Sequence, residues 1–372
     1  IYVITGKSVQ PAGTVLTWLI LIVANHCKTT RGLALSNPLF HGKGNSFAYS
    51  SPRSGPRKVN LRSKFTFGIR KFLQKVFLRQ QRDREWDAHP AGITERNRNL
   101  MEDMVSIVVP TYNRRNVIER AVNSILRQTY PFFEIIIVDD GSTDGTADVI
   151  AGIQDQRIRY IPLQENQGVA HARNTGIQEA KYDYIAFLDS DDEWMPEKLE
   201  LQMKKMTDPS NEFGLVYCRM GGLHRDGKRR FVCPPEEWVK EILEGDLFYP
   251  LLGQNVIGTP AMLVRRECLE QTGGFKESLH CLEDWELVLR IARKFKIGFV
   301  DRILVEVYKS EGSVSSNIPW YLITRCYMVS LYRAEFTKTG ILERTKEEIL
   351  KVARNNNLYE EIKELLTRDI EL

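Results

Sequence analysis

From Val105 onward the chain alternates short, almost uninterrupted apolar runs with segments whose apolar residues recur three and four positions apart. Residues 105–110 and 134–138 read as buried strands, and Val117, Ala121, Ile125 and Leu126 between them keep helical spacing. The alternation continues through a strand at 158–163, a helix at 169–180 and a strand at 184–188. Apolar strands separated by amphipathic helices predict an α/β domain with a mainly parallel sheet covered on both faces. Right-handed crossovers then bring the C-terminal ends of all these strands to one sheet edge.

Polar clusters stand at those ends. Thr111-Tyr112-Asn113 follows the first strand, Asp139-Asp140-Gly141-Ser142-Thr143-Asp144 the second, and Asp189-Ser190-Asp191-Asp192 the strand at 184–188. Asp-rich turns after strands are common, because Asp and Ser hydrogen-bond their own backbone. An EF-hand is disfavoured, since Trp194 stands where its loop needs Gly. A dehalogenase-type phosphatase also carries Asp-x-Asp after a strand, and is kept as a rival. Convergence on one crevice is what favours a ligand site, where hard carboxylate oxygens can hold a divalent cation against a phosphorylated ligand.

Six segments in order carry a resemblance: residues 108–113, 138–144, Asn166-x-Gly168-x-x-x-Ala172-Arg173-Asn174, 188–192, Gly273-Gly274-Phe275 and Glu283-Asp284-Trp285-Glu286. Over about residues 104–310 the chain resembles family 2 glycosyltransferases of the GT-A fold. The resemblance implies a nucleotide-binding half at 104–207 and an acceptor half at 208–312. It places the base and ribose of a nucleotide-sugar donor on Asp139 or Asp140, with Thr111 and Tyr112 lining the pocket. Pro110, Asn113, Arg173 and Ser190 complete the donor set. Asp189 contacts the ribose, and Asp191 with Asp189 binds Mg2+ or Mn2+ at the diphosphate. Glu283 or Asp284 is the general base of an inverting transfer to a glycan or lipid-linked hydroxyl, in polysaccharide or lipopolysaccharide assembly. A non-catalytic nucleotide-sugar-binding module is the other alternative.

Glu283 and Asp284 precede a helix expected at 285–295, with Leu287, Val288, Ile291 and Ala292 as its buried stripe. Acidic residues there are also ordinary helix caps; the resemblance favours catalysis by Asp284, with Glu283 second. His280 nearby reads as an exposed loop residue. The chain departs from the family pattern after a strand at 303–308: where relatives often carry a basic or His residue, it has Lys309-Ser310-Glu311. Lys309 can substitute as a diphosphate contact, whereas Glu311 is repelled by phosphate.

Composition adds less. Of 372 residues, 42% are hydrophobic and 27% charged, ordinary for a globular protein. The net charge of +4 is uneven: residues 1–100 hold 17 Lys and Arg against 4 Asp and Glu, a net +13, and the remainder carries −9. Six cysteines without CxxC or zinc-ligand spacing fit a reduced, cytoplasmic setting. No P-loop, GxGxxG or internal repeat is present, and nothing points to nucleic acid as a partner. Residues 1–100 read as a poorly ordered basic region. Its apolar run at 15–24 is shorter than the ~20 residues of a membrane span. A Ser/Gly/Pro/Arg-rich stretch at 42–58 follows, and the first Met is Met101, which raises the question of whether the preceding region is native. Ile69, Phe72, Leu73, Val76 and Phe77 share one helical face within 64–84, among Arg70, Lys71, Lys75, Arg79 and Arg82. That pattern suits peripheral contact with an anionic membrane, or packing against the domain. Residues 313–372 read as a helical extension.

Overall fold

The structure, a computed structural model, describes residues 2–5, 8–11, 103–223, 229–236, 243–308 and 317–370. The expected amphipathic helix at 64–84, the apolar run at 15–24, and Lys309 and Glu311 lie outside these residues. Contacts divide the chain into two units, residues 82–349 and residues 1–81 with 350–372. In the second unit Tyr2–Thr5 (β1) and Ser8–Pro11 (β2) pair antiparallel, and Tyr359–Ile370 is a helix.

The first unit contains the sheet. Its strands are Val105–Thr111 (β3), Phe133–Asp139 (β4), Ile158–Pro162 (β5), Tyr184–Phe187 (β6), Glu193–Trp194 (β7), Phe213–Leu223 (β8), Arg229–Cys233 (β9), Leu263–Arg265 (β10) and Lys296–Tyr308 (β11). The order is β5-β4-β3-β6-β10-β8-β11-β7, with β9 paired to β8. The four strands β5, β4, β3 and β6 are parallel, as the apolar runs predicted. Beyond them β10 is antiparallel to both β6 and β8, after which β8 and β11 pair in parallel. Short β10 thus joins the parallel four-stranded half to a second half. The strand expected at 303–308 is the end of a longer one: β11 starts at Lys296 and keeps pairing with β8 through register shifts.

The core follows from the strand sequences. Ile135, Ile136 and Ile137 are all fully buried, so both faces of β4 are covered; burying each such side chain stabilises by roughly 1.5–3 kcal/mol. Helices Ile118–Leu126 (α1), Thr146–Ala151 (α2) and Val169–Glu179 (α3) cover this half. The buried stripe of α1 is Ile118, Ala121, Val122, Ser124 and Ile125. Val117 and Leu126, expected inward, are only partly buried: Val117 stands ahead of the helix as its N-cap, and Leu126 is its last residue, at the edge of the buried stripe. Gly176 lets α3 lie close on β3: a Cβ there would stand 2.2 Å from Val108 Cγ1. Lys198–Met206 (α4) follows β7, Phe248–Leu252 (α5) and Arg266–Thr272 (α6) flank β10, and Glu283–Ala292 (α7) precedes β11. Ile318–Leu331 (α8), Arg333–Lys338 (α9) and Leu342–Asn355 (α10) form the helical region after β11.

Candidate active site

β3, β4 and β6 end side by side. Thr111 is in register with Asp139, Asp140 N donates to Thr111 O at 2.8 Å, and Leu188 N donates to Val108 O at 3.1 Å. The sequence-predicted groups Pro110 to Asn113, Asp139 with Asp140, and Asp189 to Asp192 therefore meet at one edge.

The loop after β4 is held by its own acids. Asp139 Oδ1 accepts from Ser142 N at 2.9 Å, and its Oδ2 accepts from the Tyr160 hydroxyl at 2.7 Å. The Asp140 oxygens accept from Gln167 N and Gly168 N, both at 2.8 Å. Burial pushes the Asp140 carboxyl above its usual range, against the pull of those two N–H groups. Asn113, at φ 52°, donates its N–H to Ser142 Oγ and accepts from Thr143 N, each at 2.8 Å. Gly141 takes φ +81°, and a Cβ on it would stand 3.0 Å from Asn166 N. Asp139, Asp140 and Asn113 thus hold the loops at this sheet edge. Two groups remain uncommitted: the Tyr112 ring, 44% exposed, and the buried Thr111 Oγ1, which has no hydrogen-bond partner.

The loop between β6 and β7 carries the second acidic cluster. Asp191 is partly exposed, its Oδ2 lies 4.0 Å from Arg114 Nη2, and its carbonyl accepts from Arg120. Ser190 and Asp192 are buried. Asp192 Oδ1 accepts from Tyr308 N at 3.1 Å, and burial beside Asp189 and Asp191 raises its carboxyl well above the usual range. The Arg120 guanidinium sits 3.8 Å over the Tyr308 ring, whose hydroxyl donates to Glu193 Oε2 at 2.6 Å. Among the described residues no three His, Cys, Asp or Glu side chains form a ready-made metal cage. An accessible Asp191 carboxylate with Asp189 beside it instead suits a hard cation that draws its other oxygens from a bound phosphate and water.

The third component is the first turn of α7. The helix begins at Glu283 rather than Trp285, and Leu282 ahead of it takes φ 58°. Leu287, Val288, Ile291 and Ala292 are buried as expected. The two acids then part in role. Glu283 is buried and its Oε1 accepts from Arg173 Nη1 at 2.6 Å; Arg173 Nη2 reaches Asp189 Oδ1 at 2.7 Å. Asp284 Oδ1 accepts instead from Trp285 N at 2.7 Å and from Asn255 Nδ2 at 3.3 Å. Burial and the Glu283 charge push the Asp284 carboxyl up to about 7, with Arg173 pulling the other way. One acid is ion-paired; its neighbour is held above the usual carboxylate range by burial. His280 packs against Trp320, ring centroids 4.2 Å apart.

Several participants were invisible to motif reading. Asn255 comes from a loop with no local pattern, and Tyr160 reads as an ordinary strand residue. Asn174 belongs to a quoted segment, yet its task appears only in three dimensions: its amide accepts from Phe275 N and donates to Phe275 O, each at 2.8 Å.

Residues 106–273 match the model of the family described as Glycosyl transferase family 2. TuaG of Bacillus subtilis (strain 168), a glycosyltransferase named for teichuronic acid biosynthesis, is 33% identical over 241 residues, 63% of this chain and 91% of TuaG. The chain belongs to glycosyltransferase family 2. As a family 2 glycosyltransferase it is a sugar transferase, which sets the phosphatase reading aside. The beta-1,3-glucosyltransferase WfgD of Escherichia coli is 41% identical over 222 residues, 58% of this chain and 82% of WfgD. The glycosyltransferase RC0461 of Rickettsia conorii is 31% identical over 287 residues, 71% of this chain but 46% of its own length. The chain therefore spans under half of that longer relative. A crystal structure of S. aureus TarS 1–349 matches with TM-score 0.51 at 18% identity, over 72% of this chain and 89% of that one, which shows a shared GT-A-like fold.

Proposed function

We propose that this family 2 glycosyltransferase moves a sugar from a nucleoside diphosphate donor to an acceptor hydroxyl with inversion at the anomeric carbon, in assembly of a cell-surface polysaccharide. The observation that carries the reading is the division between Glu283, tied to Arg173 at 2.6 Å, and Asp284 beside it, with only its Oδ1 engaged; burial also pushes the Asp284 carboxyl up to about 7. A general base works best with a pKa near the working pH, and Asp284 meets that condition. Its Oδ1 is occupied by Trp285 N and Asn255, so Oδ2 is the oxygen assigned to the acceptor proton.

At the other end of the site the exposed Tyr112 ring offers a stacking surface for the nucleobase, and Thr111 Oγ1 offers an uncommitted donor and acceptor. Asp139, Asp140 and Asn113 hold the loops around it through their hydrogen bonds, and Pro110 at the end of β3 and the buried Ser190 are assigned to the same donor side. Asp191, with Asp189, would hold Mg2+ or Mn2+, which when bound neutralises charge on the diphosphate leaving group. Arg114, 30% exposed and beside Asp191, adds a fixed positive charge there.

Two relatives support a choice of substrate class. WfgD is named for UDP-Glc as donor and a GlcNAc-diphosphoundecaprenol as acceptor, and the TarS crystal structure is a complex with UDP-GlcNAc. A uridine nucleotide donor and a lipid-linked acceptor follow for this chain as part of the proposal. Contact with such an acceptor, on the cytoplasmic side, is proposed as peripheral; no helix among the described residues is long and apolar enough to cross a membrane.

The test is a hydrolysis screen across nucleotide sugars with magnesium or manganese and no acceptor, with the released anomer read by NMR before it mutarotates. The expected result is one preferred donor and a sugar of inverted configuration. Retained configuration, or no turnover and no binding of any donor, overturns the proposal.

A further inference from the structure

Arg173 is buried on α3, its side chain 5% exposed, and it lies between two carboxylates far apart in sequence. Nη2 reaches Asp189 on the donor side and Nη1 reaches Glu283 on the acceptor side, at 2.7 and 2.6 Å. Its Nε is buried without a hydrogen-bond partner, and its guanidinium lies 5.2 Å from the centre of the Phe275 ring, whose backbone the adjacent Asn174 holds. We infer that Arg173 is a positioning residue that neutralises Glu283, so that Asp284 alone serves as the proton acceptor, and that ties this turn to the donor-binding carboxylate Asp189. This inference rests on the proposed role of Asp284.

The electrostatic reason is local. Asp284 is faced by Glu283 and the Trp285 N–H on its own helix, by Arg173 from α3, by Asn255 from the loop after α5, by Cys233 on β9 and by Cys281 just before the helix. Arg173 is the cation in that set. Without it two adjacent carboxylates remain at a largely buried helix start, with only the helix N-terminus to offset them. Such a pair holds a proton in common to higher pH, so less of the base is available at neutrality.

Kinetics over pH decide the matter, with donor affinity measured by calorimetry on Arg173→Gln, Arg173→Lys, Glu283→Gln and the double variant Arg173→Gln with Glu283→Gln. In Arg173→Gln the acid limb of kcat/KM is expected to move up by about one to three pH units, the shift an opposite charge at this range produces. The double variant loses one positive and one negative charge, so its limb is expected to return close to that of the wild type. Arg173→Lys restores part of the shift. If Arg173→Gln does not fold, the double variant and Arg173→Lys still carry the comparison. An acid limb that stays in place in a donor-binding Arg173 variant, or no return in the double variant, overturns the inference while leaving Asp284 as base. Unchanged transfer in Asp284→Asn overturns the base assignment itself.

Discussion

Asn174→Ala tests how the two halves of the site are joined. Asn174 is 9% exposed, and its side-chain amide satisfies both backbone groups of Phe275, which is itself 3% exposed and packs edge-on against Phe187 at 5.3 Å between ring centroids. Truncation to Ala leaves a buried N–H and a buried C=O without partners. Each such group costs about 1–3 kcal/mol, so the expected loss for the two is roughly 2–6 kcal/mol, nearer the lower end if one water enters the vacated space. Asn174→Asp separates the contributions: it keeps an acceptor for Phe275 N but replaces the donor with an oxygen facing Phe275 O. Its loss is expected to match or exceed that of Ala. Urea unfolding followed by tryptophan fluorescence reads the change as a lower midpoint at constant slope. A loss below about 0.5 kcal/mol in Asn174→Ala would show that these bonds are replaced at no cost, against the reasoning from buried backbone groups.

Asp191→Ala is expected to lose most nucleoside diphosphate affinity in the presence of magnesium, and chelator is expected to do the same to the wild type; calorimetry that shows equal binding in both tests would remove Asp191 from the site. With Asp284 at about 7, kcat/KM is expected to rise with pH through that value, because only the ionised carboxylate accepts a proton. In the same way, a carboxyl raised in the folded state favours folding when protonated. Its stabilisation is present at low pH and fades as pH rises from the ordinary Asp range to about 7, which melts of wild type and Asp284→Asn can compare. Gly141→Ala forces a Cβ at φ +81° to within 3.0 Å of the Asn166 backbone; a fall in both melting temperature and donor affinity is expected, since Asn166 precedes the two N–H groups that hold Asp140.

The parallel half of the fold was legible because β3, β4 and β6 are buried on both faces and read as unbroken apolar runs. The site was legible as positions: Thr111, Asp139 and Asp189 each follow such a run, and parallel strands bring their ends together. What the sequence does not show is which polar groups are already bound to protein. Asp139 and Asp140 look alike as ligands in one dimension, yet each is held by partners from distant segments, Tyr160 in one case and Gln167 with Gly168 in the other. Glu283 and Asp284 are likewise equivalent until Arg173, more than a hundred residues earlier, pairs with one of them. The strand at 303–308 was read short because Asp301 and Arg302 interrupt its apolar pattern at a register shift, while backbone pairing with β8 resumes past them. Antiparallel β10, with three residues, is too short to leave a periodic signal.

The central claim is that Asp284 takes the acceptor proton, and Asp284→Asn tests it most directly because the amide keeps the shape of the side chain. Donor affinity by calorimetry and single-turnover transfer are measured on the same preparation. The account predicts unchanged nucleotide binding with transfer slowed by ~10²–10⁴-fold, and a smaller loss for Glu283→Gln. Full transfer in Asp284→Asn, or a greater loss in Glu283→Gln with binding intact, would contradict it.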